Sequence, residues 1–281
     1  MKRLCVLQVT PEFPNPDHVA FFDSKENCDF YFVTHDAANE KALKYCPNTT
    51  WVDTRNILAD LVPKEYEYYA FVDYDFIFEP KSDLKVLDQI LFDLKEWNPA
   101  VLTYYPGRGF ISPFVDDLEY FNKYEYSIIP FTHCGMKVVH HTLLNWFFPM
   151  VTKFGGGVDA CHLFNILELP FLKNTICSHQ MVYRNDVNDP KTPHNKSGAI
   201  SKMNMDKMWN WISPSFKKYK LLQLQYGPRS ADSLSIKHFF VDLFKKQEIV
   251  LNQEQDDVNY FSVERMEKFF DLSHERFLNI K

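Results

Sequence analysis

Glycine is scarce in this chain, with 8 residues in 281 against 16 prolines. That balance excludes collagen-like and glycine-rich repeat architectures. Long apolar runs are missing as well. After Met1-Lys2-Arg3 comes a short apolar stretch over residues 4–9, interrupted by Gln8 and too short for a secretory h-region. No later window approaches the about 20 residues that a membrane span requires, and the best of them, residues 143–151, is broken by Asn145 and Pro149. The expectation is a soluble, cytoplasmic protein with no signal peptide and no membrane span. The six cysteines (Cys5, Cys28, Cys46, Cys134, Cys161 and Cys177) form no CxxC pair. Their spacing fits buried thiols in a reducing compartment better than a disulfide framework or a zinc site. Nor is there a run of five or more Lys/Arg, and the net charge is −6. A duplex-binding protein needs a basic stripe to displace counterions, so nucleic acid is not expected as a partner.

What is present describes a globular protein. Hydrophobic residues make up 46 % and charged residues 24 %, which excludes wholesale disorder. The 26 Phe and 15 Tyr supply a core with rings to spare for ligand stacking. The length fits one large α/β domain, or two lobes sharing one cleft.

Short apolar runs at residues 4–9, 30–33, 51–53, 68–72 and 100–103 read as strands. They alternate with helical text at 55–61 and 82–97, the latter capped by Ser82 and stopped by Asn98-Pro99. Strands separated by helices predict an α/β fold, a mainly parallel sheet flanked by helices, with ligands beyond the carboxyl ends of its strands. That rule places Thr10, Asp36, Asp53, Asp73 and Asp75 on one rim. Residues 104–200 are loop-rich. Beyond 200 the text turns helical, with apolar stripes at 236–244 and 263–270.

The strongest chemical signal is Phe71-Val72-Asp73-Tyr74-Asp75-Phe76-Ile77-Phe78. Alternation puts the two acids on one face of an extended segment. Two carboxylates that close repel each other unless something positive lies between them. A hard divalent cation, Mn²⁺ or Mg²⁺, answers that need because it takes oxygen ligands and bridges to phosphate.

A hydrophobic strand ending in Asp-x-Asp resembles the DxD motif of metal-dependent GT-A glycosyltransferases. The resemblance implies a GT-A-like, Rossmann-like sheet with a helical C-terminal region. Residues 1–103 would form the nucleotide-sugar half, 104–200 the acceptor side, and 201–281 the helical region packed on the same domain. It implies a nucleotide-sugar donor, UDP-linked as is common in the family, and a glycan acceptor. Asp75 would be the direct metal ligand, and Asp73 would contact the ribose or share the metal. Thr10, Asp36 and Asp53 fall on the nucleotide rim.

A second stretch, Phe154-Gly155-Gly156-Gly157-Val158-Asp159, gathers three of the eight glycines before an acid. It resembles the glycine-rich turn that receives the acceptor in inverting members of the family. Gly156 and Gly157 would let the backbone approach the sugar, and Asp159 would be the general base. Many relatives carry two consecutive acids here, whereas this chain has Val158-Asp159. His179 and His194 are two candidates for a third metal ligand. Lys196, beside His194, would neutralise the departing diphosphate. His133 is a candidate sugar contact, and Tyr105, in an aromatic loop, a candidate acceptor platform. The expected reaction is inverting transfer. Two other readings stay open: a haloacid-dehalogenase-like phosphatase with Asp73 as nucleophile, and a non-catalytic nucleotide- or glycan-binding module on the same fold.

Overall fold

The structure, a computed structural model, describes residues 2–23, 25–81, 83–106, 125–128, 135–150, 168 and 175–185. Eight strands are described: β1 (Lys2–Thr10), β2 (Cys28–Thr34), β3 (Tyr66–Asp73), β4 (Phe76–Pro80), β5 (Val101–Pro106), β6 (Tyr126–Ile128), β7 (Met136–His140) and β8 (Thr175–Asn185). The helices are α1 (Pro16–Phe22), α2 (Trp51–Leu61), α3 (Val86–Trp97) and the single turn α4 (Leu144–Phe147). Together they build the expected α/β, Rossmann-like architecture. Ser82 and the stripes at 236–244 and 263–270 lie outside the described residues. Among the described residues no helix is long and apolar enough to cross a membrane.

All strands join one sheet in the order β2-β1-β3-β7-β5-β8-β4, with β6 paired to β8. The expected parallel pairing holds for β2-β1-β3 and for β5-β8, whereas β7, β4 and β6 pair antiparallel, so the sheet is mixed. β1 is buried almost throughout, as a central strand covered on both faces must be. The face carrying Leu4, Val6, Ala70, Val72, Val138 and Leu102 packs against Phe22 of α1 and Val86, Ile90 and Leu94 of α3. On the other face Phe71 stacks on Phe148 at 4.5 Å, and Arg55 of α2 lies over Phe71.

Three elements differ from the sequence reading. Residues 51–53 open helix α2, because Thr50 and Asp53 form a reciprocal capping box. That cap satisfies amide groups at the helix start and outranks the strand preference of Trp51 and Val52. Phe76–Pro80 is a strand that the reading missed. It occupies the sheet edge, the place where a terminal proline removes no ladder bond. Finally, α3 begins at Val86 with Lys85 as an N-cap that makes no side-chain bond, while its stop at Asn98, in the left-handed region with φ 39°, is as read.

The sheet cannot be flat. From β3 to β4 the order crosses four strand spacings, about 19 Å at ~4.8 Å each. The chain from Asp73 to Phe76 reaches at most about 10 Å. The bend falls in β8, where the β5 register jumps from Tyr104↔Ser178 to Tyr105↔Val182. His179, Gln180 and Met181 bulge out of that ladder, and bulges of this kind turn a strand.

Behind this bend Asp93 is fully buried, accepting from the Gln89 amide at 2.8 Å and the Tyr126 hydroxyl at 2.9 Å. Burial raises its pKa above the ordinary 3.8, against the opposing pull of neighbouring hydroxyls and the Gln89 amide. A carboxyl raised in the fold stabilises fully below its unfolded pKa, and the contribution is lost as pH rises through the folded value. Urea denaturation across pH 4–8 should show wild-type stability falling over this window from that contribution. Asp93→Asn, whose amide oxygen still accepts both bonds, should flatten the dependence and match or exceed the wild type at pH 8.

Candidate active site

The candidate site lies where β3 ends. Tyr68 to Val72 are almost wholly buried, and Asp73 is the first residue after them to reach the rim. Its Oδ1 accepts from Trp51 Nε1 at 3.0 Å and from the Arg55 guanidinium at 2.6 Å. Trp51 and Arg55 sit one turn apart on α2, and the guanidinium stacks on the indole, 3.8 Å from its centroid. The Arg55 side chain is only 4 % exposed against 21 % for Asp73. The arginine is therefore a sunken cation whose partner faces the solvent side. A buried guanidinium requires such pairing, and it in turn orients one carboxylate oxygen, while Oδ2 lies beside residue 135.

Asp73 and Asp75 do not share one face of an extended strand, as the alternation predicted. β3 stops at Asp73, Tyr74 and Asp75 form a turn, and β4 departs to pair with β8. The acids flank this turn, and Asp75 is buried. The Asp73 amide donates to Gly135 O at 2.8 Å. A Cβ at residue 135 would lie 2.0 Å from the Phe76 ring and 3.0 Å from Asp73 Oδ2, so the backbone there touches both sides of the turn.

The end of the β1–α1 loop and the first turn of α1 hold the same turn. Asn15 Nδ2 donates to Tyr74 O at 2.9 Å, and His18 Nε2 meets Phe76 O at 2.8 Å. Gln8 joins the two, with Nε2 2.6 Å from His18 Nδ1 and Oε1 accepting from the Asn15 amide at 3.1 Å. Burial pushes the His18 imidazole down to about 4. The ring is thus neutral at physiological pH, with its proton on Nε2, since a carbonyl only accepts.

Thr10 and Asp36 share the rim with Asp73. The register pairs Val9 with Asp73 and Thr10 with Thr34. The Thr10 hydroxyl donates to Phe13 O, while the Asp36 amide donates to Pro11 O at 2.9 Å and its carboxylate stays largely exposed beside His35. Asp53 differs in kind: its Oδ2 accepts from the Thr50 amide and hydroxyl as part of the α2 cap. His179 is buried at the β8 bulge. Asn185 faces Phe76 and Met181 faces Pro80, so β4 spans about 13 Å at ~3.3 Å per residue, with His179 beyond its far end. That register sets His179, a candidate metal ligand, apart from Asp75 along the β4–β8 pair. Tyr105 lies in β5, at the register jump. His133, Gly156, Gly157, Asp159, His194 and Lys196 lie outside the described residues.

Sequence reasoning did not mark Trp51, Arg55, Gly135, Gln8, Asn15 or His18. Only the first two carried a usable local signal, their i, i+4 spacing behind Thr50-x-x-Asp53. Also unmarked was Lys137, which pairs with Glu168, both side chains 1 % exposed, on the strand facing Phe71. Among the described residues no group of three or more His, Cys, Asp or Glu is placed to hold a metal.

The fold and rim define an α/β protein with a paired-acid turn at the carboxyl edge of its sheet. No family model matches the chain, and no curated protein matches it. Among solved structures it is similar to the crystal structure of S. aureus TarS 1–349, with a TM-score of 0.48 and 13 % identity over 95 % of this chain and 83 % of that one.

Gly135→Ala tests the close approach. The added methyl must displace the Phe76 ring, which is buried against Tyr183. Overpacking of this kind costs about 1–3 kcal/mol, to be read as a lowered urea midpoint at unchanged slope.

Proposed function

We propose that the protein is a divalent-metal-dependent glycosyltransferase that moves a sugar from a nucleotide sugar, UDP-linked by expectation, to a glycan hydroxyl with inversion. The observation that carries this reading is the acid turn at the carboxyl rim, with Asp73 held through Oδ1 by Arg55 and Trp51 and Asp75 buried two residues on. The donor set fits a hard cation. Mg²⁺-like ions are commonly held by one or two carboxylates, with phosphate and water completing the shell, so the pair requires no third protein ligand. When bound, the metal would neutralise charge on the diphosphate leaving group.

The residues divide the work as follows. Asp75 would hold the metal. Asp73, already charge-paired with Arg55, would offer Oδ2 to a ribose hydroxyl or share the ion. Thr10, Asp36 and Asp53 mark the nucleotide side of the rim. Asp159 would take the proton of the acceptor hydroxyl as it attacks the anomeric carbon from the face opposite the diphosphate. Lys196, with His194 beside it, would stabilise the departing oxygens. His133, Gly156, Gly157 and Tyr105 would contact the transferred sugar or acceptor. The phosphatase alternative would need Asp73 as nucleophile, and its pairing with a buried arginine lowers the nucleophilicity of that carboxylate.

Thermal denaturation with nucleoside diphosphates and nucleotide sugars, each with and without Mn²⁺, tests the reading. At ~100 times its dissociation constant a ligand adds about 2.7 kcal/mol to the native state. Stabilisation by one nucleotide family only with metal is expected, and Asp75→Asn should abolish it. No shift with any nucleotide would overturn the proposal. Asp159→Asn should keep that stabilisation and lose sugar transfer in a product assay; retained turnover would remove Asp159 as the base.

A further inference from the structure

Gln8 is a polar residue in the middle of a central strand that is otherwise apolar from Leu4 to Val9, and it is fully buried. Burying an amide there is costly unless its donors and acceptor are satisfied. Both of its polar atoms have a partner. Gln8 Nε2 donates to His18 Nδ1 (2.6 Å), and Gln8 Oε1 accepts from the Asn15 amide (3.1 Å). The outputs of this network are two main-chain contacts: His18 Nε2–H to Phe76 O (2.8 Å) and Asn15 Nδ2–H to Tyr74 O (2.9 Å). Those two carbonyls bracket Asp75. β3 and β4 pair with different neighbours, and the carbonyls that bracket the turn accept from side chains of the β1–α1 segment. The His18 ring is wedged between Phe22 and Phe78, with centroids at 6.2 and 5.1 Å, so it has one orientation in which both bonds form.

We propose that His18, seated by Gln8 and acting with Asn15, is the positioning residue that sets the place of Asp75 at the rim. It touches neither metal nor substrate and acts through the turn backbone. The inference rests on reading the acid turn as a metal-nucleotide site. Its geometric core, that these side chains fix the turn, stands apart from that reading and is tested apart from it.

The test uses the full-length chain with three variants. His18→Phe keeps the ring packing and removes both hydrogen bonds. Asn15→Ala cuts the Tyr74 contact outside the core. His18→Gln restores a donor in place of Nε2. Hydrogen exchange reads the turn directly. The Phe and Ala variants should lose protection roughly tenfold over residues 73–78 while α3 keeps its own, and the Gln variant should resemble the wild type. Unchanged protection at 73–78, or a uniform loss that includes α3, would overturn the proposal. The second readout is the Mn²⁺ concentration giving half of the stabilisation by uridine diphosphate. Supporting shells of metal ligands typically change affinity by about 10–100-fold, so this midpoint should rise by that order in the Phe and Ala variants. An unchanged midpoint, with only the metal-free melting temperature lowered, marks a merely structural role and also overturns it. A wild type that shows no Mn²⁺-dependent stabilisation overturns the assignment of a metal site, while the exchange data still decide whether His18 holds the turn.

Discussion

Two residues, Tyr74 and Asp75, have to join strands that the sheet order sets four spacings apart. Everything at the rim follows from that short connection. The sheet must curl until β4 comes back over β3, and β8 supplies the curl by releasing three residues from its ladder with β5. The curl presses the Phe76 ring against the backbone at residue 135, where a side chain has no room. The carbonyls on either side of Asp75 accept from Asn15, in the β1–α1 loop, and from His18, in α1. One connection thus accounts for a bulge, a required glycine and a buried polar network.

Charge is distributed to suit this frame. Arg55 is buried on α2 and finds its counter-charge in Asp73 at the rim. Lys137 and Glu168 are both sealed inside and satisfy one another. Asp93, behind the bend, has amide and hydroxyl partners and is biased towards its neutral form. Arg55, Lys137 and Asp93 each have a partner from another part of the chain, as low-dielectric interiors demand. At the rim Asp73 is paired with Arg55, and the place of Asp75 is set by its backbone neighbours. An arrangement of that kind suits a site where one carboxylate orients and the other meets a cation.

Much of the fold was legible along the chain. The apolar runs of β1, β2, β3 and β5, the amphipathic stripe of α3 and its Asn98 stop lie where the text places them. So do the arrival of Asp73 at the end of a buried strand and the company of Thr10 and Asp36 on that edge. The start of α2 was legible too, in Thr50-x-x-Asp53, but strand propensity at Trp51 and Val52 obscured it. The strand after the turn was hidden for a different reason. Phe76-Ile77-Phe78 reads as a continuation of the motif, and only its pairing with β8 gives it a separate identity.

The sequence by itself determined the strands β1, β2, β3 and β5, the body of α3, and where acids follow a buried strand. Such features depend on residues a few positions apart, whose faces are set by a period of 2.0 or 3.6. The tertiary structure alone decided the partners. Arg55 meets Asp73 across 18 residues, Asn15 meets Tyr74 across 59, and Gly135, just before β7, is forced against Phe76 of β4. It also set His179 apart from Asp75, although both are polar residues in strand-like text. No pattern along the chain encodes these relations. They come from the order in which strands enter the sheet, and that order is settled by which faces can be buried together.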